Sequence, residues 1–403
     1  MGVEVPLHEL LLDVGVGVAK GAKVEPPADD EWGLLRLGAL TSGDFTASQA
    51  KRLMTWDPAY PRLEVRAGDV LMVRVNGAQA LVGASCIAQH VRPRLVLSDL
   101  MYRLVPDPER LNADFLGLML ASDRVRRQIR RGMRGTSGQF QLPQAEVKKL
   151  QVPLFPLPEQ RDIVAAHEAF ERRIGDLERV AQKRSTLLSA AVSALLRGQD
   201  SSGTTLETMM VSCDPGITLG AHRAPQKRAT GYLRVANVRM GWIDTSDVAS
   251  LESTSSDRPR YELEAGDVLV VEGHANPEQI GRAALVGPVE EGLLYQNHLF
   301  RLRFDRDEVV PEFAMLWLNS EAVRSYWISR CATSSGLYTI NSKLLADAPF
   351  PVVPIEEQRK IVETWRTGIR AVDSLHGLIA KLRTIQQGVI EDLLSGRSRV
   401  NRT

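Results

Sequence analysis

Ala67-Gly68-Asp69-Val70-Leu71 and Ala265-Gly266-Asp267-Val268-Leu269 are the same five residues, 198 positions apart. The shift of 198 continues without a gap on both sides. Gly33, Leu35 and Arg36 match Gly231, Leu233 and Arg234. Gly83 matches Gly281, and Arg103-Leu104 matches Arg301-Leu302. Phe115, Ser122 and Val125 match Phe313, Ser320 and Val323; Ser137-Gly138 matches Ser335-Gly336. Pro153 and Pro156, Glu159-Gln160-Arg161 and Gly198 match Pro351 and Pro354, Glu357-Gln358-Arg359 and Gly396. Chance does not align so many Gly, Pro and Arg at one offset. An internal repeat sets the fold before any local pattern does. Nearly all 403 residues are therefore two copies of one unit, with a poor match in about the first 32 residues of each.

Each copy has two parts. The first reads as mixed α+β. Val65 to Val75 alternates apolar and polar around the Ala-Gly-Asp turn, which predicts strands. Leu100–Leu104 and Leu299–Phe304 read as short strands. Phe115–Arg130 and Phe313–Ile328 carry apolar residues at helical spacing, and Thr136-Ser137-Gly138 and Thr333–Gly336 read as loops. The second part is one long helix. Pro156 and Pro158 punctuate its start, Glu159 complements the dipole of the first turn, and Gly198 ends it. The second helix follows Pro354 and ends at Gly396. Each spans roughly 40 residues, or about 60 Å.

Both helices carry a seam. Ile163, His167, Phe170, Ile174, Leu177, Ala181, Arg184, Leu188, Ala191 and Leu195 step by alternating fours and threes. Ile361, Trp365, Gly368, Val372, Leu375, Ile379, Leu382, Gln386, Val389 and Leu393 do the same. This heptad spacing predicts a coiled coil, and the simplest partner of each seam is the other. A parallel pair would need a long return connection, and the chain between the helices is already used to build a domain. The pair is therefore expected to be antiparallel, with a pseudo-two-fold relation between the copies. Two helices docked on separate cores is the alternative. The fold class is α+β: two tandem α+β domains separated by two long helices. The expected boundaries are 1–155, 156–199, 200–353 and 354–403.

Composition excludes several classes. The charge balance is 50 Lys+Arg against 49 Asp+Glu, so there is no polybasic coat, and any attraction for a polyanion must be local. No apolar run approaches the roughly 18–20 residues of a membrane span. Glu4, His8, Glu9 and Asp13 interrupt any signal-peptide core, and Pro6 breaks a myristoylation signal. Cys86, Cys213 and Cys331 are far apart and odd in number, and read as free buried thiols in a reducing compartment, the cytoplasm.

Catalytic motifs reduce to decoys. Asp57-Pro58-Ala59-Tyr60 resembles the Asp-Pro-Pro-Tyr motif of N6-adenine methyltransferases, but its repeat counterpart is Ser255-Ser256-Asp257-Arg258 and no glycine-rich cofactor loop precedes it. It reads as a proline turn. Gly15 to Gly21 misses the dinucleotide fingerprint, no phosphate-loop motif occurs, and the seven histidines show no metal-ligand pairing. His167 lies on the seam. No metal site and no enzymatic activity are expected of this chain.

Binding features remain. Arg124, Arg126, Arg127, Arg130, Arg131 and Arg134 are six arginines in eleven residues. Helical spacing puts Arg127, Arg130, Arg131 and Arg134 near one face, and the polar loop Gly135-Thr136-Ser137-Gly138-Gln139 follows. Arginines and loop N–H groups suit phosphate oxygens; the alternative is a merely solvated face. The second copy has only Arg324 and Arg330 here, followed by Ser334, Ser335 and Tyr338. The copies also diverge after the shared turn: Val73-Arg74-Val75-Asn76-Gly77 against Val271-Glu272-Gly273-His274-Ala275-Asn276-Pro277. Arg and Asn are the side chains that pair with guanine and adenine edges, although ordinary turns use them too.

Leu157-Pro158-Glu159-Gln160-Arg161 and Ile355-Glu356-Glu357-Gln358-Arg359, each opening a long helix, resemble the conserved regions of the specificity subunit of type I restriction–modification systems. So do the helix ends Leu195–Gly198 and Leu393–Val400. Tyr232–Val238, Gly266–Leu269 and Gln296-Asn297-His298-Leu299 resemble its target-recognition domains. The resemblance covers almost the whole chain. It implies that each globular copy is a target-recognition domain reading one half of a split, asymmetric DNA sequence. The helices would set the gap and dock two methyltransferase subunits, with motor-nuclease restriction subunits able to join. S-adenosylmethionine would belong to the methyltransferase, ATP and magnesium to the motor, and none to this chain. Arg36, Arg234, Asn237 and Asn297 complete the candidate DNA-contact set. The alternatives are a coiled-coil scaffold with two protein-binding domains and no affinity for DNA, and a standalone methyltransferase built around Asp57–Tyr60.

Overall fold

The computed structural model describes residues 4–18, 21–41, 43–135, 138–199, 203–225, 228–334 and 336–400. The chain divides into two compact units, Met1–Glu178 with Gly377–Thr403, and Arg179–His376.

Unit 1 is built on a four-stranded antiparallel sheet. Its strands are β1 (Leu11–Val16), β2 (Val70–Val73), β3 (Ser85–Ile87) and β4 (Met101–Pro106), in the order β1-β4-β2-β3. Both faces are covered. Val70, Met72, Tyr102 and Leu104 face α1 (Ala113–Ala121) and α2 (Asp123–Gly132); Leu71, Val73 and Met101 face a second cluster around Leu35, Ala39 and Leu97. That is why all four residues of β2 are buried, where alternation was expected. The expected single helix from Phe115 to Arg130 is in fact two. Ser122 is extended (φ −60°, ψ 147°), its hydroxyl accepts from Val125 N–H, and its backbone N–H closes the end of α1.

Unit 2 repeats the plan with β5 (Met210–Pro215), β6 (Val268–Val271), β7 (Ala283–Leu285) and β8 (Leu299–Phe304), ordered β5-β8-β6-β7. Its helices α4 (Pro311–Leu318) and α5 (Glu321–Arg330) carry the largest core aromatics, Phe313, Trp317 and Trp327. The poorly matching start of each copy has the same fold but one extra residue. Leu7 N–H donates to Leu150 O and Leu206 N–H to Ala348 O, so the offset is 199 at the start of the copy and 198 near its end.

The shared turn has a physical cause. Gly68 and Gly266 sit at φ +92° and +100°, where a side chain is strained, and Asp69 and Asp267 accept from the N–H three residues back, at Arg66 and Glu264. Gly17, in the incomplete dinucleotide motif, serves close strand approach. A Cβ there would lie 2.0 Å from the Leu97 carbonyl oxygen.

The long helices are α3 (Leu157–Arg197, 41 residues) and α6 (Ile355–Leu394, 40 residues). In unit 1, Arg383 pairs with Glu178 at 2.6 Å and Gln386 donates to Glu171 at 2.6 Å. In unit 2, Gln199 donates to Glu357 at 3.2 Å, and Gly368 lies against Leu188 so closely that a Cβ would come within 2.4 Å of it. Residue numbers rise along one helix as they fall along the other, so the two run antiparallel. Ile163, Ile174, Leu177, Ala181, Ile361, Val372 and Ile379 are buried; Phe170, Leu188, Trp365, Leu375 and Leu382 are half-buried. The last turns depart from the heptad. Leu195 is 41% exposed and Val389 37%, while Val192, Leu196, Ile390 and Leu394 are buried alongside Leu393. Polar Gln386 is buried in its bond to Glu171, and Arg184 is exposed.

Cys86 is buried, but Cys213 and Cys331 are only half-buried, and all three are free thiols. Burial pushes the Cys86 thiol up to about 12 and the Cys213 thiol to about 11. Tyr60 is buried at the turn expected there: Asp57 accepts from Ala59 N–H, and the Tyr60 hydroxyl donates to Thr55 O. Among the described residues no helix is long and apolar enough to cross a membrane.

Candidate nucleic-acid interface

In each unit the turn after the Gly-Asp strand pairs with the loop that follows the second short helix. In unit 1, Asn76 stands opposite Phe140 and Val75 opposite Gln141, and Gln141 exchanges backbone hydrogen bonds with Arg134. In unit 2, His274 stands opposite Tyr338, and Tyr338 opposite Thr333. The ladder thus brings together Asn76, Arg134, Phe140 and Gln141 in one unit and, at the repeat-equivalent places, His274, Ala332, Tyr338 and Thr339 in the other; Gln139 and Asn276 flank it in sequence. Ser334 lies on the strand Ala332–Ser334. Thr136, Ser137 and Ser335 lie outside the described residues.

The turns are held by side chains. Asn76 Oδ1 accepts from Ala78 N–H at 2.8 Å; His274 Nδ1 accepts from Asn276 N–H at 3.0 Å; Asn276 Oδ1 accepts from Glu278 N–H at 2.9 Å. The roots of the turns differ in charge. Arg74 donates to Asp99 O at 2.9 Å and lies over the Tyr102 ring, 5.9 Å from its centre. Its counterpart Glu272 bonds His298 at 2.8 Å. Arg74 is therefore committed to bracing the loop that carries Asp99.

Arg127, Arg130, Arg131 and Arg134 are exposed, but only the first three lie on α2; the helix ends at Gly132, Met133 is extended, and Arg134 is bridged to Gln141 instead of continuing the helical face expected from its spacing. Their neighbours on α2 are engaged: Arg124 pairs with Glu4, and Arg126 donates to Ala80 O at 2.7 Å. Burial, then the charge of Arg130, hold the Arg126 guanidinium below its usual range. Arg126 and its counterpart Arg324 are half-buried and lie off the exposed arginine stripe.

The remaining candidates divide. Arg36 is exposed and lines a cleft of about 470 Å³ with Lys51, Ser98 and Asp99. Lys51 was not among the candidates, since nothing in its local sequence marks it. Arg234 pairs with Asp247 at 2.8 Å. Asn297 is half-buried beside Ile217, whose carbonyl takes its N–H. Asn237 must be struck from the DNA-contact set. It is 3% exposed, its amide donates to the Asp244 and Asp247 carbonyls, and its Oδ1 accepts from Arg234 N–H. It is a turn staple with no free polar atom. Among the described residues no three His, Cys, Asp or Glu side chains converge as metal ligands would.

No family model matches the chain. It is 22% identical over 403 residues to the type I restriction enzyme EcoKI specificity subunit of Escherichia coli K12, covering 95% of this chain and 86% of that one. It is 25% identical over 166 residues to the EcoEI specificity subunit of Escherichia coli, covering 41% and 28%. A solved chain from work on complex assembly and conformational transition of the type I R-M system superposes with a TM-score of 0.61, at 17% identity, over 98% of this chain and 97% of that one. At that identity the superposition speaks for the fold alone. Over nearly its full length the chain is thus similar in sequence to a type I restriction enzyme specificity subunit, and it shares its fold with a chain solved from a type I R-M system.

Proposed function

We propose that this chain chooses the DNA sequence on which a type I restriction–modification complex acts. The observation that carries the reading is one scaffold used twice with two different recognition edges. Asn76 and the Arg134–Gln141 ladder stand in one unit, and His274, Asn276 and Tyr338 in the other. A repeat kept for folding alone has no reason to vary its exposed ladder so sharply beside a Gly-Asp turn that it holds constant. Each unit reads one half of a split, asymmetric site. Arg36, Asn76, Arg127, Arg130, Arg131, Arg134 and Gln139 face one half; Arg234, His274, Asn276, Asn297 and Tyr338 face the other. Phosphate contacts position each unit and groove contacts specify the bases.

The long helices set the gap and dock two methyltransferase subunits. Supporting this, a second apolar stripe recurs at the repeat offset on their outer surface. Val180 and Leu187 are exposed on α3, and Leu378 and Ile385 on α6. The same surface offered twice suits two copies of one partner. The chain performs no chemistry in this reading: S-adenosylmethionine belongs to the methyltransferase, ATP and magnesium to any restriction subunit. Target-recognition domains at 1–155 and 200–353, spacer helices at 156–199 and 354–403, and a cytoplasmic location belong to the same proposal. Expressed with its methyltransferase partner, the chain should direct methylation to one split motif with unlike halves. A contiguous motif in the methylome rejects the two-reader arrangement.

A further inference from the structure

The repeat supplies its own control for the arginine face of α2. Helices α2 and α5 lie 198 residues apart and bury the same side: Val125 and Ile129 in unit 1, Val323 and Trp327 in unit 2, each at most 1% exposed. On the outer side the cations are all exchanged. Arg127, Arg130 and Arg131 on α2, and Arg134 just past its end, stand where unit 2 has Ser325, Ile328, Ser329 and Ala332. Unit 2 forms the same ten-residue helix without them, so folding does not require these arginines. Among the described residues none of the four has a carboxylate within 4.0 Å. Their like charges repel, and beyond the dipole at the end of α2, which favours Arg130 and Arg131, no described carboxylate pairs with them. What offsets such a cluster is a polyanion from outside.

We infer that unit 1 is the electrostatic anchor on DNA: the α2 arginines hold backbone phosphates beside one half-site, and unit 2 holds the other half with far fewer phosphate contacts. The inference rests on the DNA reading above and adds that the two halves contribute unequally. Salt sensitivity then belongs mainly to one half, because each neutralised phosphate adds about 0.9 to the slope of log affinity against log salt.

The test uses the full chain on duplex DNA of random sequence over a salt series. Arg127→Ser with Arg131→Ser carries residues that this helix already accommodates in unit 2. It should flatten the slope by about 1.8, so a fourfold rise in salt costs about 12-fold less affinity than in the parent. The reciprocal graft, Ser325→Arg with Ser329→Arg, should steepen it by a similar amount. Unchanged thermal melting confirms the fold of each variant. On a duplex bearing the recognised site, rising salt should weaken the footprint over one half first. A parent that binds with a steep slope, while neither graft changes it, overturns the anchor and leaves the DNA reading standing. A parent that binds no duplex at low salt, alone or with its methyltransferase partner, overturns both.

Discussion

Gln160 and Gln358 show what the Glu-Gln-Arg signature is for. Gln160 Oε1 accepts from Asn112 N–H at 2.8 Å, and its amide donates to the Arg110 and Phe155 carbonyls at 2.8 Å. Gln358 repeats this with Val310 N–H at 2.9 Å and the Glu308 and Val353 carbonyls at 2.8 Å. Both are at most 1% exposed. Each ties the first turn of a long helix to the loop before a short one. Only a side chain with both a donor and an acceptor fits. Gln160→Ala leaves one N–H and two carbonyls without their partner, each costing about 1–3 kcal/mol where water cannot replace it. Urea unfolding should show a loss at or above that range for Gln160→Ala and for Gln358→Ala; an unchanged midpoint would show that the contacts are incidental. The signature's position was plain in the sequence, but its three partners were not, because they lie 5 to 50 residues away.

At the scale of the element, the helices follow the expected seam until their last turns. There the buried positions move by one residue, from Ala191 and Leu195 to Val192 and Leu196, and from Val389 to Ile390, with Leu394 buried beside Leu393. A straight helix has 3.6 residues per turn, not 3.5, so a strict heptad drifts around its surface. Supercoiling corrects the drift only while another helix is the partner. Here the last turns pack on globular cores instead: Val192 and Leu196 with Phe313 and Trp317, Ile390 and Leu394 with Phe115 and Leu116. Spacing alone cannot reveal that change of partner. It predicts a sharp difference between adjacent leucines. Leu196→Ala should cost about 2–5 kcal/mol, as a core truncation does. Leu195→Ala should cost under about 1 kcal/mol, as exposed sites do. Equal losses in chemical denaturation would restore the uninterrupted heptad.

Across the whole molecule, the two units share a plan but are braced differently. Unit 2 relies on Arg–Asp pairs. Burial alone would raise the Asp257 carboxyl, yet the Arg223 guanidinium and Thr254 hold it below the ordinary range. Asp214 is likewise lowered, against burial, by Arg301 at 3.0 Å. A carboxylate with a depressed folded pKa stabilises above its unfolded pKa, and that stability is lost as pH falls through the folded value. In unit 1 the Glu31 carboxyl is lowered, chiefly by Ala28 N–H, at the surface. Acid should therefore loosen unit 2 first, from about pH 4 downward. Hydrogen exchange followed by mass spectrometry should show β5–β8 opening before β1–β4; simultaneous opening would refute the difference. The near-neutral balance of 50 against 49 conceals a second asymmetry, since four exposed arginines of unit 1 have no counterpart in unit 2.

The sequence by itself determined the duplication, the class of fold, the two long helices and the family resemblance. Each rests on periodicity or on residues such as Gly68 and Gly266, whose backbone demands are local. Only the tertiary structure decided which candidates stand at the paired turn and loop of each unit. It brought Asn76 to Phe140 and His274 to Tyr338 through strand pairing across more than sixty residues. It withdrew Asn237 into a turn and Arg74 against a carbonyl. Whether a polar side chain faces solvent or satisfies a buried backbone group depends on what the rest of the chain packs beside it, and local sequence does not record that.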